Sequence, residues 1–214
     1  MNPINIGEII AEPFWPPDPS LLLHPTIPRE AHGLNPRSVL GKDWWDSTRK
    51  SAEDMNNHFC YACSIHKSDT VDGWLEGHET YMIFVDEKVL KYLRTVSLCK
   101  KCHMYIHCGR TFLLWQERKL SQDDFVAVMA HGVQLLRGAG LPITTQQATV
   151  LNAAARYLTR MQLKMFEGFI HNIDIVAPSY ERGKARDGVW KLIIGEYTYT
   201  DADILGDSPE EDSH

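Results

Sequence analysis

Two Cys-x-x-Cys pairs, Cys60-Tyr-Ala-Cys63 and Cys99-Lys-Lys-Cys102, constrain this chain more than any other feature. Each pair bites one ion from a tight turn, and four thiolates suit a tetrahedral zinc. Such a shell is closed, so its expected role is structural. Zinc binding then supplies folding free energy to a module with little core of its own. Tyr61 and Leu98 stand beside the sulfurs and can shield them. A fifth cysteine, Cys108, is left over and reads as a buried thiol. Thiols in this pattern point to metal binding in a reducing cytoplasm rather than to disulfides. No apolar run of about 18 residues predicts a membrane span, and the first residues lack the basic-then-apolar pattern of a signal peptide.

The residues around the pairs predict an α+β chain in four parts. Residues 1–35 hold seven prolines without helical periodicity and read as an extended arm, with Phe14 and Trp15 docking on the body. Residues 36–119 form the zinc module. A short lead-in and one helix cover 36–57, with Trp44, Trp45, Thr48 and Ala52 at helical spacing. The first Cys pair makes a knuckle. Residues 74–85 alternate as a strand, Asp86-Glu87 turns the chain, and 90–98 returns as a second strand or extended loop. A helix then opens on the second pair. Knuckle, hairpin and helix in this order is the treble-clef arrangement. Residues 120–200 read as a helical region with a terminal strand. Ser121 caps one helix, Thr144 or Thr145 caps a longer one to about residue 168, and 189–199 is a strand or hairpin arm. The apolar stripes of these helices suggest a separate subdomain or a dimer interface. Residues 201–214 read as an acidic, disordered tail.

A second constellation lies against the zinc ligands. His103 and His107, four apart, share one face of the helix that follows Cys102. The hairpin packs across that helix in a treble clef, which brings His78 near. Three neutral imidazoles suit a divalent ion. Each histidine alone also has a structural explanation, and His58, His66 and His131 stand outside the pattern.

The run Leu98-Cys99-Lys-Lys-Cys102-His103-Met-Tyr-Ile-His107, with Glu76-Gly77-His78-Glu79 upstream, resembles the HNH family of metal-dependent nucleases. The likeness spans about residues 33–110, from Gly33-Leu-Asn-Pro onward. It resembles in particular a zinc-bearing bacterial subfamily with His-Glu in place of His-His. That resemblance implies phosphodiester hydrolysis in DNA, with His78, His103 and His107 holding a catalytic Mg, Mn, Ni or Zn ion. It implies that Glu79 replaces the base histidine. The position of the family's middle asparagine falls near Arg94, a candidate for contacting phosphate. If Glu79 instead orients His78, it acts as an outer-shell partner.

Charge bears on the partner. The net charge is −6, and six acids in the tail (Asp201, Asp203, Asp207, Glu210, Glu211 and Asp212) account for it. Residues 86–119 carry eight bases against three acids, so the module is locally basic. Lys100, Lys101 and Arg110 are therefore candidate nucleic-acid contacts. The competing reading is a catalytically inactive zinc module that binds nucleic acid or a protein partner, such as a phage or mobile-element regulator or inhibitor. It draws on the changed base, the missing asparagine and the neutral body.

Overall fold

The structure is a computed structural model, and it describes residues 12–159, 175–176 and 188–205. It is mixed α and β: a small four-stranded sheet, helices on it and beside it, and a cluster of four cysteines at their junction.

Helix α1, Pro36–Leu40, begins at Asn35, whose side chain accepts from Ser38 N–H at 2.9 Å. Gly41 takes φ +86°, a left-handed value that glycine adopts without strain, and α2, Lys42–Asp54, follows at once. Strands β1, Glu76–Phe84, and β2, Val89–Leu98, form an antiparallel hairpin. Its register slips between Thr80 and Tyr81, so that Leu93 is an extra residue on β2. A bulge of this kind bends the strand and re-aims its side chains. Trp45 of α2 lies against Gly77, where a Cβ would stand 3.0 Å from the indole.

Helix α3, Lys100–Ile106, starts on Cys99. It breaks at His107, and α4, Cys108–Gln116, continues the chain. Helix α5, Gln122–Gly138, is capped by Ser121, which accepts from Asp124 N–H at 3.0 Å, and Asp123 and Asp124 favour the positive end of its dipole. Strand β3, Ile143–Thr144, leads into α6, Thr145–Ala155, through a capping box: Gln147 N–H donates to Thr144 Oγ1 at 3.2 Å and Thr144 N–H to Gln147 Oε1 at 2.9 Å. Strand β4, Ile175–Val176, pairs parallel to β3. Strands β5, Lys191–Ile194, and β6, Tyr197–Tyr199, form a hairpin that joins β2 in parallel, giving the order β1-β2-β5-β6.

Two apolar cores follow. One gathers the knuckle, α3, α5 and α6 around Tyr105, Phe125, Met129 and Leu151. The other lies under the sheet, where Tyr81, Leu90, Trp190 and Leu192 meet Leu34 and Val39.

Several expectations change. Residues 12–35 are not an extended arm. They form short 3-10 turns at Pro19–Leu23 and Arg29–Ala31, sink Leu22 into the first core and place Ala31 and Leu34 in the second. Of the expected anchors, Phe14 stays exposed, whereas Trp15, half-exposed, docks on the body: its backbone N–H donates to Asn56 Oδ1 at 3.0 Å and it lines a groove with Tyr61. Prolines remove the periodicity that would have revealed this burial. The region after residue 120 is continuous with the module: α5 packs on α3, and β5 extends the module's own sheet. The apolar face of α5 is thereby covered within the chain. Helix α6 closes at Ala155, and the remainder of the longer helix expected to about 168 lies from residue 160 outside the described residues. The tail is ordered at its start, where Leu205 N–H donates to Ser38 O at 2.9 Å; residues 206–214 lie outside the described residues. Among the described residues, no helix is long and apolar enough to cross a membrane.

Candidate metal centres

The knuckle closes because Ser64 N–H reaches Cys60 O and Cys60 N–H reaches Ile65 O, both at 2.9 Å. Tyr61 N–H donates to Ser97 O at 3.0 Å, which ties the knuckle to β2 just before the second pair. Cys99 sits at the start of α3 and Cys102 in its first turn. The four sulfurs lie within 4.8 Å of one another, and Cys63 Sγ is 3.7 Å from Cys99 Sγ. Two thiolates bound to one tetrahedral zinc at about 2.3 Å stand about 3.8 Å apart, so this pair already has the required separation. Among the described residues all five cysteines are free of disulfides.

Sulfurs this close compete for protons. Neighbouring thiols push Cys63 down to about 6 and Cys99 further, while burial pushes Cys60 up and contact with the other sulfurs pushes Cys102 up. A divalent cation shared by four thiolates removes that competition, which is how the donor set fits a metal such as zinc. His131 also belongs here, although its sequence position sets it outside the pattern. Its Nε2 is 3.3 Å from Cys102 Sγ. Burial opposes its charge, but Cys63 and Cys99 outweigh that and raise it to about 9. A histidine N–H facing thiolates offsets their negative charge. From sequence, His131 sits one-sidedly on an apolar helix with no spacing link to the cysteines.

The second cluster uses the next turn of the same helix. His78 on β1, His103 in α3 and His107 at its end bring one ring nitrogen each within 4.8 Å of one another. Their ring centroids are 4.8 to 5.3 Å apart. His78 is 4% exposed, and its buried Nε2 has no hydrogen-bond partner. A buried imidazole nitrogen left without a partner beside two other imidazoles fits a ligand position. His103 Nδ1 contacts Glu76 Oε2, leaving Nε2 for the cluster. Such a carboxylate–histidine pairing would fix the tautomer of His103 with Nε2 free to take a cation. Desolvation first, then the neighbouring imidazoles, hold His78 and His107 below the ordinary imidazole range, although His107 keeps an exposed side. Neutral rings are the form that binds cations.

Glu79 is half-buried, and burial raises its carboxyl above the usual range against the weaker pull of His103 and Arg37. It stands one residue before the bulge. Arg94 is placed elsewhere. Its guanidinium lies 5.8 Å from the Tyr61 ring centroid, in a groove with Trp15, Thr48 and Tyr92 that none of the three histidines lines. Lys100 pairs with Asp72 at 3.1 Å, and with Lys101 it borders a cavity beside Cys99 and His131. Arg110, on α4, is exposed and near enough to His107 to disfavour its protonation. His58 and His66 have surface partners, Glu53 at 3.0 Å and Ser68 at 2.8 Å.

Comparison with protein-family models, with curated proteins and with solved structures finds no match to this chain.

Proposed function

We propose that this chain is an HNH-like, metal-dependent endonuclease that hydrolyses phosphodiester bonds in DNA, built on a treble-clef frame that a four-cysteine zinc holds closed in a reducing cytoplasm. The observation that supports it is the convergence of His78, His103 and His107 one helical turn from the four cysteines. Bound there, a Zn, Ni, Mn or Mg ion supplies Lewis acidity to the scissile phosphate and to an attacking water. Glu79 takes the proton of that water. Its raised pKa makes it a better base than an exposed glutamate. Glu76 keeps His103 in the ligating tautomer. Arg110, beside His107, meets the DNA backbone nearest the cut. Lys100, Lys101 and Arg94 contact it farther away.

The second reading is an inactive zinc module that binds nucleic acid or a protein. One placement favours it: Arg94 faces Tyr61 rather than the histidines. Metal content separates the two. Stripped protein refilled with zinc, then with excess manganese or nickel, takes up two ions per chain if the nuclease reading holds. The second ion is lost in His78→Ala/His107→Ala, and Glu79→Gln keeps both ions but loses plasmid cleavage. One zinc per chain, untouched by the histidine substitutions, leaves the binding module.

A further inference from the structure

The edge of β1 next to the histidine cluster is closed by a residue that the ligand pattern does not include. His24 follows the 3-10 turn Pro19–Leu23, and Leu22, fully buried in the first core, anchors that segment. Tyr81 N–H donates to His24 Nε2 at 2.8 Å, immediately after the bulge between Thr80 and Tyr81. The same ring meets the ring of His78 edge to face, with centroids 5.1 Å apart. His24 is not a fourth ligand. Its Nε2 lone pair is taken by Tyr81, and its other nitrogen faces the backbone of Pro25.

We propose that His24 is a positioning residue of the three-histidine site: its hydrogen bond to Tyr81 N–H pins β1 opposite the Leu93 bulge of β2, and its ring holds His78 at the angle needed to ligate. The physical case is one of preorganisation. His78 and Glu79 both lie within three residues of Tyr81 on β1, the outermost strand of the described sheet, and among the described residues this contact ties its outer side to the N-terminal segment. An edge strand opposite a bulge has its ladder hydrogen bonds locally disrupted, so fewer contacts hold it there. A shift of the backbone there would carry His78, three residues away, out of line with His103 and His107. Pinning the amide therefore removes conformations that bind no cation, which raises affinity without adding a ligand. It also ties the N-terminal segment, 57 positions away in sequence from Tyr81, to the cation site.

The inference rests on a cation binding the three histidines, and the experiment keeps the two questions apart. Protein carrying zinc on its cysteines is titrated with cobalt, read by the visible absorption of the second ion. His24→Phe keeps a planar ring and removes the acceptor; His24→Gln restores an acceptor near the Nε2 position. Loss of an outer-shell partner weakens metal binding by roughly tenfold or more, so His24→Phe is expected to fall by about that factor and His24→Gln to stay within about threefold of the parent. Zinc content and circular dichroism check that the variants fold. Equal cobalt affinity and spectrum in parent and His24→Phe would overturn the proposal, as would an equal loss in both variants. The bond itself is read in the parent as a nitrogen–nitrogen scalar coupling between the Tyr81 amide and His24 Nε2. Its absence overturns the proposal even if His24→Phe does not fold. A parent that shows the coupling but binds no cobalt sinks the second-cation reading, and with it the positioning role, while leaving the clip as a structural contact.

Discussion

Gly132 is the position where the structure makes its sharpest demand on sequence. A methyl group there would stand 2.2 Å from Cγ and Cδ2 of Tyr105 and 2.5 Å from Cδ1. Carbon atoms in contact stay about 3.5 to 4.0 Å apart, so α5 and α3 would have to separate by roughly 1.3 Å. Tyr105 cannot swing aside, because it is fully buried in the first core. Overpacking of this kind costs about 3 kcal/mol, at the upper end of the usual range. Alanine returns about 1 kcal/mol of helix propensity over glycine. The net expectation for Gly132→Ala is a loss of about 2 kcal/mol, or about 4 to 8 °C in Tm for a domain of this size. Urea and thermal unfolding of the zinc-loaded protein measure it. A cycle with Tyr105→Ala isolates the cause: with the ring gone, Gly132→Ala should turn neutral or stabilising, a coupling well above 1 kcal/mol. A Gly132→Ala protein as stable as the parent would refute the close approach of the two helices. The consequence reaches the candidate site, since α3 carries Cys102 and His103 and ends on His107.

Glu76→Gln keeps side-chain size but removes the charge facing His103; we expect the second cation to bind about 10- to 100-fold more weakly while the cysteine site keeps its zinc. Nickel titration calorimetry checks this, and an unchanged affinity would remove Glu76 from the site. Cys108 is fully buried, and burial pushes its thiol up to about 12. With zinc on the other four, an aromatic disulfide reagent at pH 8 should label no thiol until a chelator is added, and all five afterwards; prompt labelling of one would show that Cys108 is reachable. The linked stability effect is confined to alkaline solution. The folded thiol holds its proton longer than the unfolded one, whose ordinary value is 9.0, so stability falls only as pH climbs from about 9 towards about 12.

Local spacing carried much of this protein into view. Cys60-x-x-Cys63 and Cys99-x-x-Cys102 announce a four-sulfur cluster because a two-residue gap is itself the bite of one ion. His103 and His107 share a face because four residues are about one helical turn. The β1–β2 hairpin and the caps at Ser121 and at Thr144 or Thr145 were legible for the same reason: each is a relation between residues a few positions apart; Gln147 as the other half of a capping box emerged only with the structure. Tertiary structure alone decided the rest. His24 meets Tyr81 and His78, His131 meets Cys102, and Arg94 turns to Tyr61, all through contacts between distant segments with no periodic signature. Glu76 was within the motif, but only the packing of β1 on α3 made it the partner of His103. The parallel docking of β5 on β2 belongs to the same class. Parallel partners need a long crossover, so no turn chemistry in the sequence marks the register. The candidate ligands are written in short-range spacing, whereas their orientation and shielding arise where remote elements close on one another.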